Sequence, residues 1–262
     1  MKNWRLHVSV MHFYLSNMKV RVSITLLFLI SFELLKAQSV NEQVWYEYML
    51  NYPFANSFNL ENSASYSTLI GTPKWRALDY SATLEWSLNQ NVDLIGQGVV
   101  SYTQQTESYN TLELRPVLGT RLYFTPNKRI QTRLLLRVEQ RNFKNLETNE
   151  WDQVYRPRAR AEVIVPLNRD SYFVDKLWYA LTDIEWLVKT DDVEERFANR
   201  LRWRIGGGYR FTYNLRVEFL YMLQQSKDAI DGTFESSDNI FRFRVKNYLR
   251  KTKPSKAGGT GN

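Results

Sequence analysis

The sequence predicts an all-β fold, a transmembrane antiparallel up-and-down β-barrel of 10–12 strands. Three observations predict this class. An apolar leader precedes the rest of the chain, polarity alternates along about eleven later segments, and short connections alternate with longer ones. The segments have 8–15 residues, and a tilted strand needs about 9–11 residues to cross a bilayer. The strand pattern thus fits a membrane barrel.

The leader, residues 1–37, is the first element, and we interpret it as a signal peptide. Lys19 and Arg21 precede a short apolar run, and Ala37 offers a small residue for cleavage. A start at Met18 places these charges close to the N-terminus, as is usual for signals. An uncleaved N-terminal anchor is the alternative. Residues 38–250 are then the barrel, and 251–262 form a polar C-terminal tail.

The composition of the exported chain excludes several kinds of chemistry. The sequence has no cysteine, and its only histidines, His7 and His12, lie in the leader. Imidazole-based triads and most zinc or iron sites are therefore excluded, and we expect no cofactor and no enzymatic activity. Residues 1–37 also carry half of the net charge of +8. A nucleic-acid partner is not expected.

The strand segments show their alternation most clearly from Ala77 onward. In 77–88, Leu78, Tyr80 and Leu84 oppose Asp79 and Glu85. The same sorting recurs in the segments 111–124, 130–141, 154–166, 197–211 and 240–249. A period of two places alternate side chains on opposite faces of a strand, so each segment has an apolar face and a charged face.

The charged faces are rich in arginine. In a soluble sandwich these arginines would point to water, whereas in a membrane barrel they line the interior and the apolar face meets lipid. The second arrangement is the one we predict, with neighbouring glutamates neutralising part of the charge. The candidate lining residues are Arg133, Arg137, Arg141, Arg156, Arg158, Arg160, Glu162, Arg200, Arg202, Arg204, Arg242 and Arg244.

Aromatic residues lie near the strand ends on the apolar faces, as interfacial girdles require. We expect one girdle beside the short turns and one beside the longer links. The members are Trp86, Phe124, Tyr209 and Phe211 on the first side and Tyr102, Tyr155 and Phe197 on the second.

The connections are predicted to alternate between short periplasmic turns and longer outer links. Short turns are expected at 89–91, 125–128 and 212–214. Longer links are expected at 71–76, 105–110, 142–154, 189–195 and 226–238, and the link 166–176 should be a short one. Such sorting is typical of outer-membrane barrels.

The strand count and two prolines complicate this picture. Eleven is an unusual number, since bacterial single-chain barrels normally close with an even number of strands. The segment 44–54 is therefore either an incomplete strand beside ten others, or one of twelve. Pro116 and Pro157 lack the ladder donor and predict local bulges or weak pairing. Gly206–Gly208 predict a bend or a close approach of another backbone.

Acidic residues offer two further candidates for chemistry. Carboxylates in 189–196 and 227–238 could bind Ca²⁺, although solvated loops are the simpler interpretation. Asp183 and Glu185 could be imagined as an acid and base pair, but paired carboxylates inside a barrel more often neutralise arginines. Neither is retained as a site.

Four stretches carry a resemblance to a known family. They read "RPVLGTRLYFTPNKR", "VEQRNFKNLET", "ERFANRLRWRIGGGYRF" and "NIFRFRVKNYL". Nearly all of the chain after the leader resembles the domain of unknown function 2490 family, outer-membrane barrels of Bacteroidetes-type bacteria. The resemblance implies the barrel and its location, and it implies no activity.

Two functions remain open at this stage. The protein is expected in the cell outer membrane, in contact with lipid and with the barrel-assembly machinery, as an uncharacterised barrel. It is either a channel for small, anionic solutes or a closed structural or adhesive barrel. The alternative is a soluble periplasmic protein, either a β-sandwich or a lipocalin-like carrier.

Overall fold

The structure, a computed structural model, describes residues 41–71, 75–105, 110–188, 200–227 and 234–249. These residues form eleven β-strands and no helix. The strands are β1 (Asn41–Pro53), β2 (Phe58–Leu69), β3 (Arg76–Ser87), β4 (Val92–Gln104), β5 (Thr111–Tyr123), β6 (Gln131–Asn145), β7 (Trp151–Pro166), β8 (Leu177–Leu187), β9 (Arg200–Arg210), β10 (Leu215–Lys227) and β11 (Phe234–Tyr248). Every strand is long enough to cross a bilayer when tilted.

The strands form one sheet that closes into a barrel. Each strand pairs antiparallel with its neighbours in the chain, and β1 pairs with β11 to complete the ring. The predicted all-β barrel and its range of strand numbers are confirmed. Two expectations about the count are wrong, because the barrel has neither ten nor twelve strands and the segment 44–54 belongs to a full strand.

The closing pair differs from the predicted antiparallel arrangement. β1 and β11 run parallel, in a register from Asn41↔Asp238 to Asn51↔Tyr248. Successive antiparallel strands reverse direction, so the first and last of eleven must point the same way. The odd count therefore requires one parallel pair, which an even-numbered barrel avoids.

The connections divide between two ends of the barrel. The turn end carries the connections 54–57, 88–91, 124–130, 167–176 and 211–214. The loop end carries 70–75, 105–110, 146–150, 188–199 and 228–233. The long links predicted at 142–154 and 226–238 are wrong in extent, because strand pairing continues into both. The link 167–176 at the turn end is long and not short, so loop length is sorted less sharply than expected.

The two prolines within strands differ in how their neighbours pair with them. The register of β5 with β6 passes from Leu114↔Asn142 to Val117↔Glu139 and omits Pro116. Pro157 pairs with Val138 of β6, but the pairing of β7 with β8 begins only at the following residue. The weak pairing predicted from the missing N–H donor is therefore found at Pro116 and not at Pro157, where β8 ends and the proline oxygen still accepts from the N–H of Val188 at 3.0 Å.

The outer face of the barrel is an exposed apolar belt. Leu118 is 74% exposed and Ile205 is 61% exposed, although both lie within strands. Trp86, Phe124 and Phe211 are exposed near the turn end, Tyr209 is partly buried there, and Tyr102 and Tyr155 are exposed near the loop end. Phe197 lies outside the described residues. The apolar rows therefore point away from the interior.

The turn-end side chains of this belt form stacked groups. Phe58 stacks on Phe54 and on Trp86, with ring centroids 5.8 Å apart in both pairs. Tyr209 lies 4.6 Å from Trp178 and 4.7 Å from Phe211. These groups surround the turn end of the outer face.

Candidate functional site: the charged interior of the barrel

The inner face of the barrel is the candidate site, because buried ionisable side chains concentrate there. The same alternation that exposes Leu118 buries Glu113, Glu139, Arg158 and Glu185. Most proteins bury such groups only when they are paired. This interior is thus the inverse of a soluble protein, with charge inside and apolar side chains outside.

Contacts between strands that are not neighbours show that these side chains meet inside the ring. Arg121 of β5 donates to Glu85 of β3 at 2.7 Å, across the intervening β4. Tyr179 of β8 donates its hydroxyl to Glu218 of β10 at 2.7 Å. Arg202 of β9 lies 6.0 Å from the ring of Trp45 on β1. The interior is therefore spanned by side chains.

A central network of ion pairs occupies the middle of the barrel. Glu139 on β6 lies 2.8 Å from Arg156 and 2.6 Å from Arg158. Glu185 on β8 is completely buried and lies 2.7 Å from Arg158 and 3.5 Å from Arg204. Because Arg158 contacts both carboxylates, the pairs form one connected chain across the four strands β6 to β9. Three further contacts extend it, Arg137–Glu185 at 3.4 Å, Arg202–Glu185 at 3.8 Å and Arg204–Asp183 at 2.7 Å.

Smaller groups of ion pairs lie on either side of this network. Glu113 of β5 holds Arg115 at 2.7 Å and Arg141 at 2.6 Å. Arg133 pairs with Glu162 between β6 and β7. Hydrogen bonds that involve ionised partners are roughly twice as strong as neutral ones, so these pairs stiffen the wall.

A third group joins the two strands that close the ring. Glu47 of β1 lies 2.7 Å from Arg242 and also pairs with Arg244 of β11. Arg244 continues to Glu218 of β10 at 3.0 Å, which also contacts Lys246 at 3.0 Å. The parallel seam is thus reinforced from inside by charged side chains.

The twelve residues predicted from the sequence all lie at inward-facing positions of β6, β7, β9 and β11. Eleven of them take part in ion pairs, hydrogen bonds or other interactions. Arg160 differs, because among the described residues it has no carboxylate within 4.0 Å and its Nε has no hydrogen-bond acceptor. Sequence reasoning left out Glu47 and Arg216, although both occupy inward positions in the same alternation.

Little space remains among the side chains around Arg160. A cavity beside Arg160, lined also by Glu162, Asp183 and Arg204, leaves a volume of about 10 Å³ for a water-sized sphere. That is room for about one water molecule. Barrels of eight strands are filled by side chains and those of sixteen or more leave an aqueous channel. At eleven strands the barrel lies between these sizes, and long side chains take up most of the space around Arg160.

The turn end of the interior is closed by Tyr172 from the connection 167–176. Its ring lies 5.2 Å from the guanidinium of Arg210 and 5.2 Å from that of Arg216. It also meets the ring of Tyr179 edge-on at 5.4 Å, beside an apolar cluster that includes Leu177. The sequence offered one signal for this cap, an unexpectedly long connection among short turns.

The three consecutive glycines allow the close approach that was predicted. A Cβ at Gly206 would lie 2.1 Å from the backbone oxygen of Phe219 on β10. A Cβ at Gly208 would lie 2.5 Å from the ring and hydroxyl of Tyr179. Gly208 therefore leaves the space in which Tyr179 reaches Glu218.

Other candidates from the sequence find no site in the described part of the chain. Asp183 and Glu185, considered as an acid and base pair, are both held by arginines. The acidic stretches 189–196 and 227–238 lie largely outside the described residues. In the segments that are described, no group of three or more acidic, histidine or cysteine side chains could hold a metal ion.

Comparison with known proteins identifies the family but no relative of known activity. The model of the family described as "Protein of unknown function (DUF2490)" matches residues 42–235. The chain belongs to the DUF2490 family. That match covers β1 to the start of β11, so the DUF2490 unit and the barrel coincide over nearly all their length. No curated protein and no solved structure matches the chain.

No helix in the described ranges is long and apolar enough to cross a membrane, and this finding has no bearing on strands.

Proposed function

We propose that this DUF2490 protein is an integral outer-membrane β-barrel whose interior is closed, and that it acts as a structural or adhesive element through its loop end. The observation that carries the proposal is the connected network around Glu139 and Glu185, which lies in the interior along β6 to β9. The cap formed by Tyr172 closes the turn end of the same interior.

The membrane location is supported by the outer face. Exposed leucine, isoleucine and aromatic side chains surround the strands, and soluble monomers rarely expose contiguous apolar surface of this kind. Lipid is the partner that such a belt fits, with aromatic side chains at both borders. The leader with Lys19 and Arg21 supports export, and insertion would require the barrel-assembly machinery.

The soluble alternatives are less well supported. A β-sandwich does not fit a single sheet that closes on itself. A lipocalin-like carrier needs an internal space for its ligand. Charged side chains occupy that space here.

We also propose that the protein has no enzymatic activity. Two of the interior carboxylates support this proposal most clearly, since Glu113 is held by two arginines and Glu139 by three. A carboxylate in such a pair is committed to charge neutralisation and is poorly placed as a general acid or base. The proposal predicts no cofactor.

A channel for small anions is the second candidate, and one observation favours it. Arg160, Arg210 and Arg216 point inward, and none of them has a carboxylate within 4.0 Å among the described residues. Uncompensated positive charge in a narrow tube attracts anions. Movement of the Tyr172 cap would be needed to open such a path.

Planar-bilayer recording separates the two candidates. We expect folded wild-type protein to insert without discrete conductance steps, and Tyr172→Ala to remain silent because the central network persists. Val174→Ala, at an exposed position of the same connection, is the matched control. Heat-modifiable gel migration establishes that each sample is folded.

Discrete steps with anion preference from the wild type would overturn the closed barrel in favour of the channel. Recovery of the processed protein in the soluble fraction after cell lysis would overturn the membrane location.

A further inference from the structure

Two buried arginines face each other across neighbouring strands at the turn end. Arg210 of β9 and Arg216 of β10 are directly paired in the register, and they are 0% and 7% exposed. Like charges directly opposite each other on one face of a sheet are destabilising. The arrangement therefore calls for an anion.

No carboxylate of the described residues supplies it. Neither arginine has an aspartate or glutamate oxygen within 4.0 Å. Glu218, the next inward residue on β10, is occupied by Arg244, Lys246 and the hydroxyl of Tyr179. Asp170 of the nearby connection is fully exposed and lies 3.7 Å from Arg129.

Tyr172 takes the place that an anion would occupy. Its backbone oxygen accepts from Nη1 of Arg210 at 2.8 Å, and its hydroxyl oxygen accepts from Nη1 of Arg216 at 2.6 Å. Nε and Nη2 of Arg210 and Nε of Arg216 are buried without any acceptor. Tyr172 thus offers one oxygen to each of the two arginines, and both arginines keep N–H groups that have no acceptor.

Aromatic rings near both guanidiniums stabilise their positive charge and leave their N–H donors available to an anion. The ring of Tyr248 lies 4.5 Å from the guanidinium of Arg216, and the ring of Tyr213 lies 5.7 Å from that of Arg210. These faces support the guanidiniums without occupying their in-plane donors.

We propose that Arg210 and Arg216 form a binding site for a phosphate-type oxyanion at the turn end, and that Tyr172 is its displaceable occupant. A phosphate dianion balances two guanidiniums and has acceptors for the unsatisfied donors. Arginine is the side chain best suited to such recognition, because its planar fork matches oxyanion geometry.

The connection 167–176 has a closed base from which its tip can move. Asn168 accepts from the backbone N–H of Trp178 at 2.8 Å and donates to the backbone oxygen of Lys176 at 3.0 Å. Lys176 has a φ of 54°, in the left-handed region. These contacts join the two ends of the connection, so a displacement of Tyr172 need not disturb β7 or β8.

Calorimetric titration of detergent-solubilised full chain with inorganic phosphate tests the site. We expect Tyr172→Ala to bind phosphate about tenfold to a hundredfold more tightly than wild type, since hydrogen bonds to charged groups no longer have to be broken. Adding Arg216→Gln to Tyr172→Ala should abolish the gain. Arg210→Gln in the same background should do so too, and either double variant suffices if the other fails to fold.

Two matched controls stay near the site without touching it. Val174→Ala alters an exposed position of the same connection, and Arg129→Gln removes a cation at the same end of the barrel. Both should titrate like wild type. Glycerol phosphate, titrated in parallel, distinguishes the source of the anion, because tighter binding than inorganic phosphate indicates a lipid headgroup and weaker binding indicates free phosphate.

The proposal is overturned if Tyr172→Ala binds neither anion more tightly than wild type. It is equally overturned if the double variants keep the affinity of Tyr172→Ala. Heat-modifiable migration of each sample shows that these results come from folded protein.

Discussion

The arginines in the middle of the barrel and those at its turn end are similarly buried but differently compensated. Arg158 lies between two carboxylates, at 2.6 Å from Glu139 and 2.7 Å from Glu185. Arg210 and Arg216 contact the oxygens and ring of Tyr172 instead. The arginines in the middle therefore share three carboxylates through direct ion pairs, whereas the two at the turn end have no carboxylate in contact among the described residues.

The difference shows how one barrel wall can be rigid in its middle and able to bind an anion at its turn end. A carboxylate on a strand cannot leave its arginine without unpaired charge remaining in the interior, which is costly. A tyrosine on a connection can leave, because an incoming anion replaces its oxygens. Closure of the barrel thus depends on arginines that are paired with carboxylates. Binding at the turn end depends on arginines that contact a tyrosine.

Removal of the central carboxylate should have the largest effect. Glu185→Gln keeps the shape of the side chain but leaves Arg158 and Arg204 without its charge. We expect a loss of about 3–5 kcal/mol in the free energy of unfolding, as for other broken buried pairs. Urea unfolding in lipid vesicles measures it.

Glu42→Gln, at an exposed position of β1, is the control and should unfold like wild type. A loss at Glu185→Gln no greater than that of the control would show that the middle of the barrel is not held by its ion pairs.

An arginine placed on the outer face tests whether inside and outside differ as proposed. Leu118 lies near the centre of β5 and is the most exposed apolar residue named above. Leu118→Arg should cost about 2–4 kcal/mol in vesicles if this face meets hydrocarbon, and Leu88→Arg, in the connection 88–91, about 0–1 kcal/mol. The measurement is the same unfolding titration.

Equal and small costs at the two positions would contradict a lipid-facing belt. They would instead indicate an outer face in contact with water.

Removal of Arg160 should have the smallest effect. It lies two residues from Arg158 on β7, but Glu162 beside it is already paired with Arg133. We expect Arg160→Gln to cost about 1 kcal/mol or less, since no described ion pair is lost. Arg158→Gln is the matched variant and should cost about 3–5 kcal/mol.

A cost for Arg160→Gln as large as that for Arg158→Gln would mean that charge in this interior stabilises through the whole field and not through contacts. In that case the contrast between the middle and the turn end would lose its basis.

The candidate site was predictable in part. Alternation along β7 places Arg156, Arg158 and Arg160 on one face, and the structure orients that face inward. Alternation alone does not say that Arg158 meets two carboxylates and Arg160 none. Those contacts depend on the stagger of β6 and β8 against β7, which no local pattern encodes.

What the sequence by itself determined was the division of each strand into an apolar and a charged face, because side chains alternate with a period that only the backbone sets. Tertiary structure alone decided the rest. The parallel pairing of β1 with β11 follows from closing an odd number of strands, and the place of Tyr172 follows from two arginines that come together only when β9 and β10 align. Both depend on partners far apart in the chain, and such contacts contribute free energy only after the strands have come together in the barrel.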